Sequence, residues 1–248
     1  MIFFFKKNKL NVDCFTNRAD LHSLLPVSKS TKGFPEWWKN LPKTYHSDIE
    51  ILPRSTMKAC NGFTEYFKNT FYIPFWSDAL FHVGPDFNTG LNYSFADGTT
   101  TISVHSSAER GTYLNESSYQ HIKVQSPWFI ECKDDVKFVF NQNTWEFDKP
   151  EQTIIPPGII DFKYQKATNY NMFFKYTGTP YDVFIKAGSP IVTYAALTER
   201  EVKIHNHLLD EKEYKSRREK NSATFVFRNR YNTTKDLIDS TKKCPFHK

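Results

Sequence analysis

TIIPPGIIDFKYQKATNYNMFFKYTGTPYDVFIKAGSPIVTYAALT, from Thr153 to Thr198, reads as four short strands separated by turn residues. Pro157-Gly158 fits a type II turn, with φ near −65° set by the proline and a positive φ at the glycine. Ile159 to Tyr164 follows as a strand, and Asn169 to Phe174 as a second. Gly178 breaks the chain before Tyr181 to Ile185, and Gly188 with Pro190 breaks it again before Ile191 to Ala195. Aromatic and β-branched runs of this length between Gly and Pro breaks predict an antiparallel sheet or sandwich.

Working outward, the same pattern recurs on both sides. Thr70 to Ile73, Asp78 to Val83, Thr99 to His105, Ile122 to Glu131 and Val136 to Phe140 read as further strands. Pro74 interrupts the first pair, and Thr89-Gly90 and Asp97-Gly98 mark hairpins. Ile2 to Phe5 reads as a first strand, too short an apolar run for a signal peptide. Asn11 to Pro53 reads as irregular, with a short helix at Asn17 to Leu25 stopped by Pro26 and a helical turn between Pro35 and Pro42. Thr198-Glu199-Arg200-Glu201 has the form of a capping box, which predicts a charged helix to Lys220. A strand at Ala223 to Tyr231 and a last short helix from Thr233 to Lys242 complete the reading. The expected architecture is mainly β, a sandwich or jelly roll with a cupin-like core over residues 1–197, then a basic helix and arm over 198–248.

Composition narrows the function classes. Aromatic residues make up 17% of the 248, with 23 Phe and 13 Tyr, so the core should be rich in rings. Mean hydropathy is −0.58, and no apolar run approaches the length of a membrane span. The expected location is host cytoplasm or virion, without signal-peptide secretion. Cys14, Cys60, Cys132 and Cys244 form no close pair, which argues for reduced thiols over a metal cluster or redox motif. Residues 212–248 hold 11 Lys/Arg and 4 Asp/Glu, a net +7 against +6 for the whole chain. All of the net basicity therefore lies in the C-terminal arm, which suits an acidic partner or phosphates. Arg217, Arg218, Arg228 and Arg230 are the candidate contacts. On a strand, Phe225, Phe227 and Tyr231 would share one face and Arg228 and Arg230 the other, which separates rings from charges and disfavours base stacking.

Two patterns have the outline of a metal site. Pro156-x-Gly158-x-x-Asp161-x-x-x-Gln165 resembles a cupin motif with Asp161 where the metal-binding His would stand. The His-x-His of such a site occurs only as His205-Asn206-His207, inside the predicted helix, where i and i+2 point about 200° apart. His46-Ser47-Asp48 has the H-x-D spacing of Fe(II) oxygenases, with His105 or His121 as the distal ligand and Arg110 for a cosubstrate carboxylate. No nucleophile-elbow, P-loop or zincin pattern occurs. Trp37 and Trp38 are adjacent, so on a helix one anchors the segment and the other faces a neighbour or ligand.

Six segments in order resemble an uncharacterised family of T4-like cyanophages and marine bacteria, over roughly residues 30–205. They are Pro35 to Pro42 (PEWWKNLP), Lys58 to Gly62, Ile73 to Asp78, Pro127-Trp128, Gly158 to Asp161 and Ile185 to Ile191. Asn61 and Ser189 depart from the family's Pro and Thr. The resemblance implies a β-rich phage protein and brings no reaction with it. The expectation is a non-catalytic binding or assembly protein, with Trp37, Trp38, Trp76 and Asp78 as binding residues beside the basic arm. Its partners are expected to be proteins or further copies of itself, and no cofactor is expected. The alternative is an Fe(II) oxygenase using His46, Asp48 and His105.

Overall fold

The computed structural model describes residues 9–46, 49, 52–98, 102–105, 118–147, 150–222, 235, 236 and 239. The expected strands at Ile2 to Phe5 and Ala223 to Tyr231 lie outside these. Of the last predicted helix, Lys235, Asp236 and Asp239 are described and helical.

The chain begins with β1 (Leu10–Thr16), where the sequence reading placed irregular chain. Leu10, Val12, Cys14 and Thr16 are buried and alternate with Asn11 and Asp13, a period of two that a strand requires. After α1 (Ala19–Leu24) and β2 (Ser28–Lys29), the chain leaves the sheets for an insert. This consists of α2 (Glu36–Asn40), the hairpin β3 (Thr44–Tyr45) with β4 (Arg54–Ser55), and α3 (Asn61–Lys68). The chain re-enters the sheets at β5 (Thr70–Tyr72), β6 (Ala79–Val83), β7 (Leu91–Phe95) and β8 (Ile102–Val104). Then come β9 (Tyr119–Glu131), β10 (Phe138–Gln142), β11 (Thr153–Ile154), β12 (Gly158–Ile160) and β13 (Ala167–Lys175). The last strands are β14 (Tyr181–Ile185), β15 (Val192–Ala196) and β16 (Val202–Leu208), before α4 (Glu211–Ser222).

These strands build a β-sandwich. One sheet has the order β11-β13-β9-β1-β16 with β8 also on β9, and the other β12-β10-β15-β5-β2. A three-stranded sheet, β14-β6-β7, adds to the same core. Rings meet inside, Phe81 of the three-stranded sheet lying 5.1 Å from Phe174 of β13, and Trp76 of the β5–β6 connection 6.5 Å from Tyr170 of β13. The mainly-β sandwich is thus as the sequence predicts. The pairings do not by themselves establish a jelly-roll order.

The decisive departure is β16. The predicted helix from Thr198 is instead a turn, in which the Thr198 hydroxyl accepts from the Arg200 N–H, and then a strand. Val202-Lys-Ile-His-Asn-His-Leu alternates apolar and polar with β-branched residues at Val202 and Ile204, and that period overrides the capping signature. β16 runs parallel to β1, in register from Leu10 opposite Val202 to Thr16 opposite Leu208. Every other ladder among the described residues is antiparallel. The sheet therefore extends past residue 197 to Leu208, and the helix is shortened to α4.

Two side-chain amides tie β16 to its surroundings. From β16, Asn206 donates from Nδ2 to the Val27 carbonyl and accepts from the Val27 N–H on Oδ1, both at 3.1 Å. Asn69 does the same for the Arg200 carbonyl and Val202 N–H, at 3.2 and 3.4 Å. Edge strands left open template aggregation, and Asn69 covers backbone at the start of this one. Asn206→Ala leaves the N–H of buried Val27 without its acceptor and should cost about 1–3 kcal/mol, read as a lower urea midpoint with unchanged slope.

Gly158 is also corrected. It opens β12 and is not among the positive-φ glycines, which are Gly90, Gly98, Gly178 and Gly188. A Cβ on Gly158 would lie 2.6 Å from the Phe140 ring, so the glycine serves close packing rather than a turn.

Candidate functional site

The insert between β2 and β5 carries the candidate site. Pro35 occupies the N-cap position of α2, one residue earlier than a first-turn proline, and Leu41-Pro42 ends the helix. Two adjacent tryptophans on so short a helix must diverge. Trp38 turns inward and is 5% exposed, stacked on Phe63 at 4.5 Å and Phe34 at 5.3 Å. Trp37 turns outward and is 50% exposed, meeting Trp38 edge-on at 5.7 Å.

Phe63 and Phe67, one helical turn apart on α3, carry the ring contacts inward. Phe67 packs on Phe34 at 4.9 Å and on Trp145 at 5.3 Å, and Trp145 belongs to the 3-10 turn Thr144–Glu146 of the sandwich. Asn141 on β10 donates to the Tyr66 hydroxyl at 3.1 Å. The inner side of the insert is thereby fixed to the sandwich by ring packing, each pair adding about 0.5–1.5 kcal/mol beyond area burial. The hairpin is tied down by the Thr56 hydroxyl, which donates to the Pro42 carbonyl at 2.5 Å.

Its outer side is different. Among the described residues, thirteen large apolar side chains are exposed, and five of them (Trp37, Tyr45, Ile49, Leu52 and Met57) fall within residues 37–57. Ile49 is 92% and Leu52 75% exposed, beyond the ladder of β3 and β4. Single exposed apolar residues need no explanation, but five within one segment held by ring packing make the insert the candidate interaction surface. Charges surround it unevenly. Glu36 pairs with Lys39 at 2.6 Å and Glu65 with Lys68 at 3.3 Å. The Lys58 ammonium donates to the Lys39 carbonyl at 2.8 Å, and among the described residues neither it nor Lys43 makes an ion pair.

The other predicted binding residues do not join this site. Trp76 is core, stacked on Phe75 at 4.7 Å and 3% exposed. Asp78 is a structural brace, its carboxylate accepting from the Ala187 N–H at 2.7 Å and its carbonyl from the Ala96 N–H at 2.9 Å. It so links the chain entering β6 to the ends of β7 and β14. Arg217 is engaged within the protein. Its guanidinium lies 4.4 Å from the Phe15 ring and donates to Glu131 at 3.2 Å and Glu213 at 2.9 Å. With Tyr214 on Phe129 at 5.1 Å, it clasps α4 to the sheet. Arg218 lies on α4 with its side chain outside the described residues, as are Arg228 and Arg230.

The proposed oxygenase ligands come from different elements, as far as they are described. His46 is exposed just after β3, Asp48 lies outside the described residues, and His105 stacks on His121 at 4.8 Å beyond β8. His205 and His207 share one face, because they stand on a strand and not on a helix. Each is paired with a neighbour on β1, His205 with Asn11 at 3.0 Å and His207 with Asp13 at 2.8 Å. Among the described residues no group of three or more His, Cys, Asp or Glu could hold a metal ion, and no helix is long and apolar enough to cross a membrane.

Sequence reasoning found the Trp pair but missed α3, Met57 and the hairpin. Phe63 and Phe67 at i, i+4 were the available signal for α3. Comparison with protein families, curated proteins and solved structures finds no match to this chain, so its reading rests on the geometry alone.

Proposed function

We propose that this chain is a non-catalytic binding and assembly protein of a phage, a component of the virion, and that the aromatic insert is its interface. The supporting observation is the concentration of exposed apolar side chains at residues 37–57 on a segment whose inner face is anchored to a sandwich. A rigid aromatic anchor ringed by smaller apolar contacts is the usual anatomy of a protein interface. The C-terminal arm, with its net +7, supplies a second, electrostatic contact from the arginines other than Arg217.

Two experiments test this reading. The chain should be present in purified particles, and a Trp37→Ser/Met57→Ser variant should be depleted from them. Its folding free energy should stay within about 0.5 kcal/mol of wild type, because both side chains are exposed. A wild-type chain found only in the lysate contradicts the virion role. Stoichiometric iron lost in a His105→Ala variant contradicts the non-catalytic reading in favour of an oxygenase.

A further inference from the structure

Resting on that interface reading, we infer that the partner surface is an acidic amphipathic protein segment, with apolar anchors seated on Trp37 and Met57 and carboxylates on Lys43 and Lys58. The argument is one of charge complementarity around a fixed apolar surface. The insert's own carboxylates at Glu36 and Glu65 are consumed by Lys39 and Lys68, each at a spacing of three residues along its helix. Lys58 is held with its ammonium on the Lys39 carbonyl, at the end of the helix that displays Trp37. Lys43 is exposed and adjoins the β3–β4 ladder, and its carbonyl receives the Thr56 N–H at 2.9 Å, which fixes the backbone from which it projects. Two cations without carboxylates among the described residues therefore lie on the segment that displays Trp37 and Met57, and a partner that covers it must place something beside them. An uncharged partner would strip water from both ammonium groups without return, which costs free energy, whereas carboxylates would compensate them.

The test uses the full-length chain and three labelled peptides of helical amphipathic design. All carry Leu and Phe at i, i+3, i+4 and i+7. Their flanking positions are Glu in one, Lys in the second and Gln in the third. The Glu peptide is expected to bind at least about tenfold more tightly than the other two. A Lys43→Glu/Lys58→Glu variant should reverse that order, and raising the salt about tenfold should erase most of the difference. Equal binding of all three peptides, lost in Trp37→Ser, overturns the acidic-partner inference and leaves the insert as the interface. Binding of the Glu peptide that survives Trp37→Ser overturns both. No binding by any peptide, or binding to anionic phosphatidylglycerol vesicles instead, overturns the inference alone, and particle content then decides the interface reading.

Discussion

Raising the pH from about 10 to about 12 should unfold this protein in one cooperative step, with tyrosinate absorbance appearing together with loss of the β-sheet signal. The cause is the aromatic, polar-poor core. Burial pushes the hydroxyls of Tyr170 and Tyr194 well above their ordinary 10.0, and pushes the Cys14 thiol above its ordinary 9.0. Burial is the main cause at both; the neighbouring Tyr194 adds to the rise at Tyr170, whereas Tyr170 offsets part of the rise at Tyr194. Tyr72 and Tyr181 are shifted in the same direction, also chiefly by burial. The folded chain thus holds protons that the unfolded chain releases once pH exceeds the ordinary values. Stability from these groups is fully present below about pH 9 and is lost as pH rises. Three fully buried groups acting together give a slope of about 4 kcal/mol per pH unit, enough to exhaust a stability of roughly 5–15 kcal/mol within a few units. Tyr194→Phe should lessen that slope by about 1.4 kcal/mol per pH unit. Smooth titration of every tyrosine near pH 10 with the fold intact would contradict this account of the core.

Trp128→Ala should be the most damaging single core substitution, lowering the unfolding free energy by about 3–5 kcal/mol. Trp128 heads the fully buried side chains by volume, and its carbonyl accepts the Thr168 hydroxyl at 2.8 Å to tie β9 to β13. Alanine would keep that carbonyl and leave a cavity the size of an indole. Trp128→Phe should behave very differently. The indole N–H is buried with no hydrogen-bond partner among the described residues, so it already carries a desolvation cost of about 1–3 kcal/mol. Phenylalanine removes that cost while keeping most of the volume, and the net loss should be under about 1.5 kcal/mol. Urea unfolding of the two variants checks the contrast. Equal losses in both would mean that the N–H is satisfied and that the packing argument at Trp128 is wrong.

The sequence made the sandwich legible wherever turn residues bounded the strands. Tyr181 to Ile185 is a strand to the residue, and Gly178 and Gly188 do take positive φ. It misled where two local signals competed. At Thr198 a hydroxyl and downstream carboxylates looked like a helix cap, yet the next residues alternate, and only the distant β1 makes strand pairing profitable for them. Pairing across nearly the whole chain leaves no local trace, which is why β1 itself was read as irregular. The site was legible in part for a similar reason. Adjacent tryptophans between prolines imply one ring in and one out, but which ring faces solvent depends on Phe34 and Phe63 beneath Trp38. Trp76 is core and Asp78, though exposed, braces the ends of three strands, and a short motif cannot report which distant strands converge on it. That Arg217 also reaches Phe15 and Glu131 is likewise invisible in its local sequence.

The most direct measurement of the central claim is hydroxyl-radical footprinting of the chain, free in solution and within purified particles. Trp37 and Met57 are open to oxidant in the free chain, as are Leu24 and Phe87 outside the insert. An interface at the insert predicts that Trp37 and Met57 become protected at least about tenfold on assembly while Leu24 and Phe87 keep their rates. Equal oxidation of Trp37 and Met57 in the two states would contradict it.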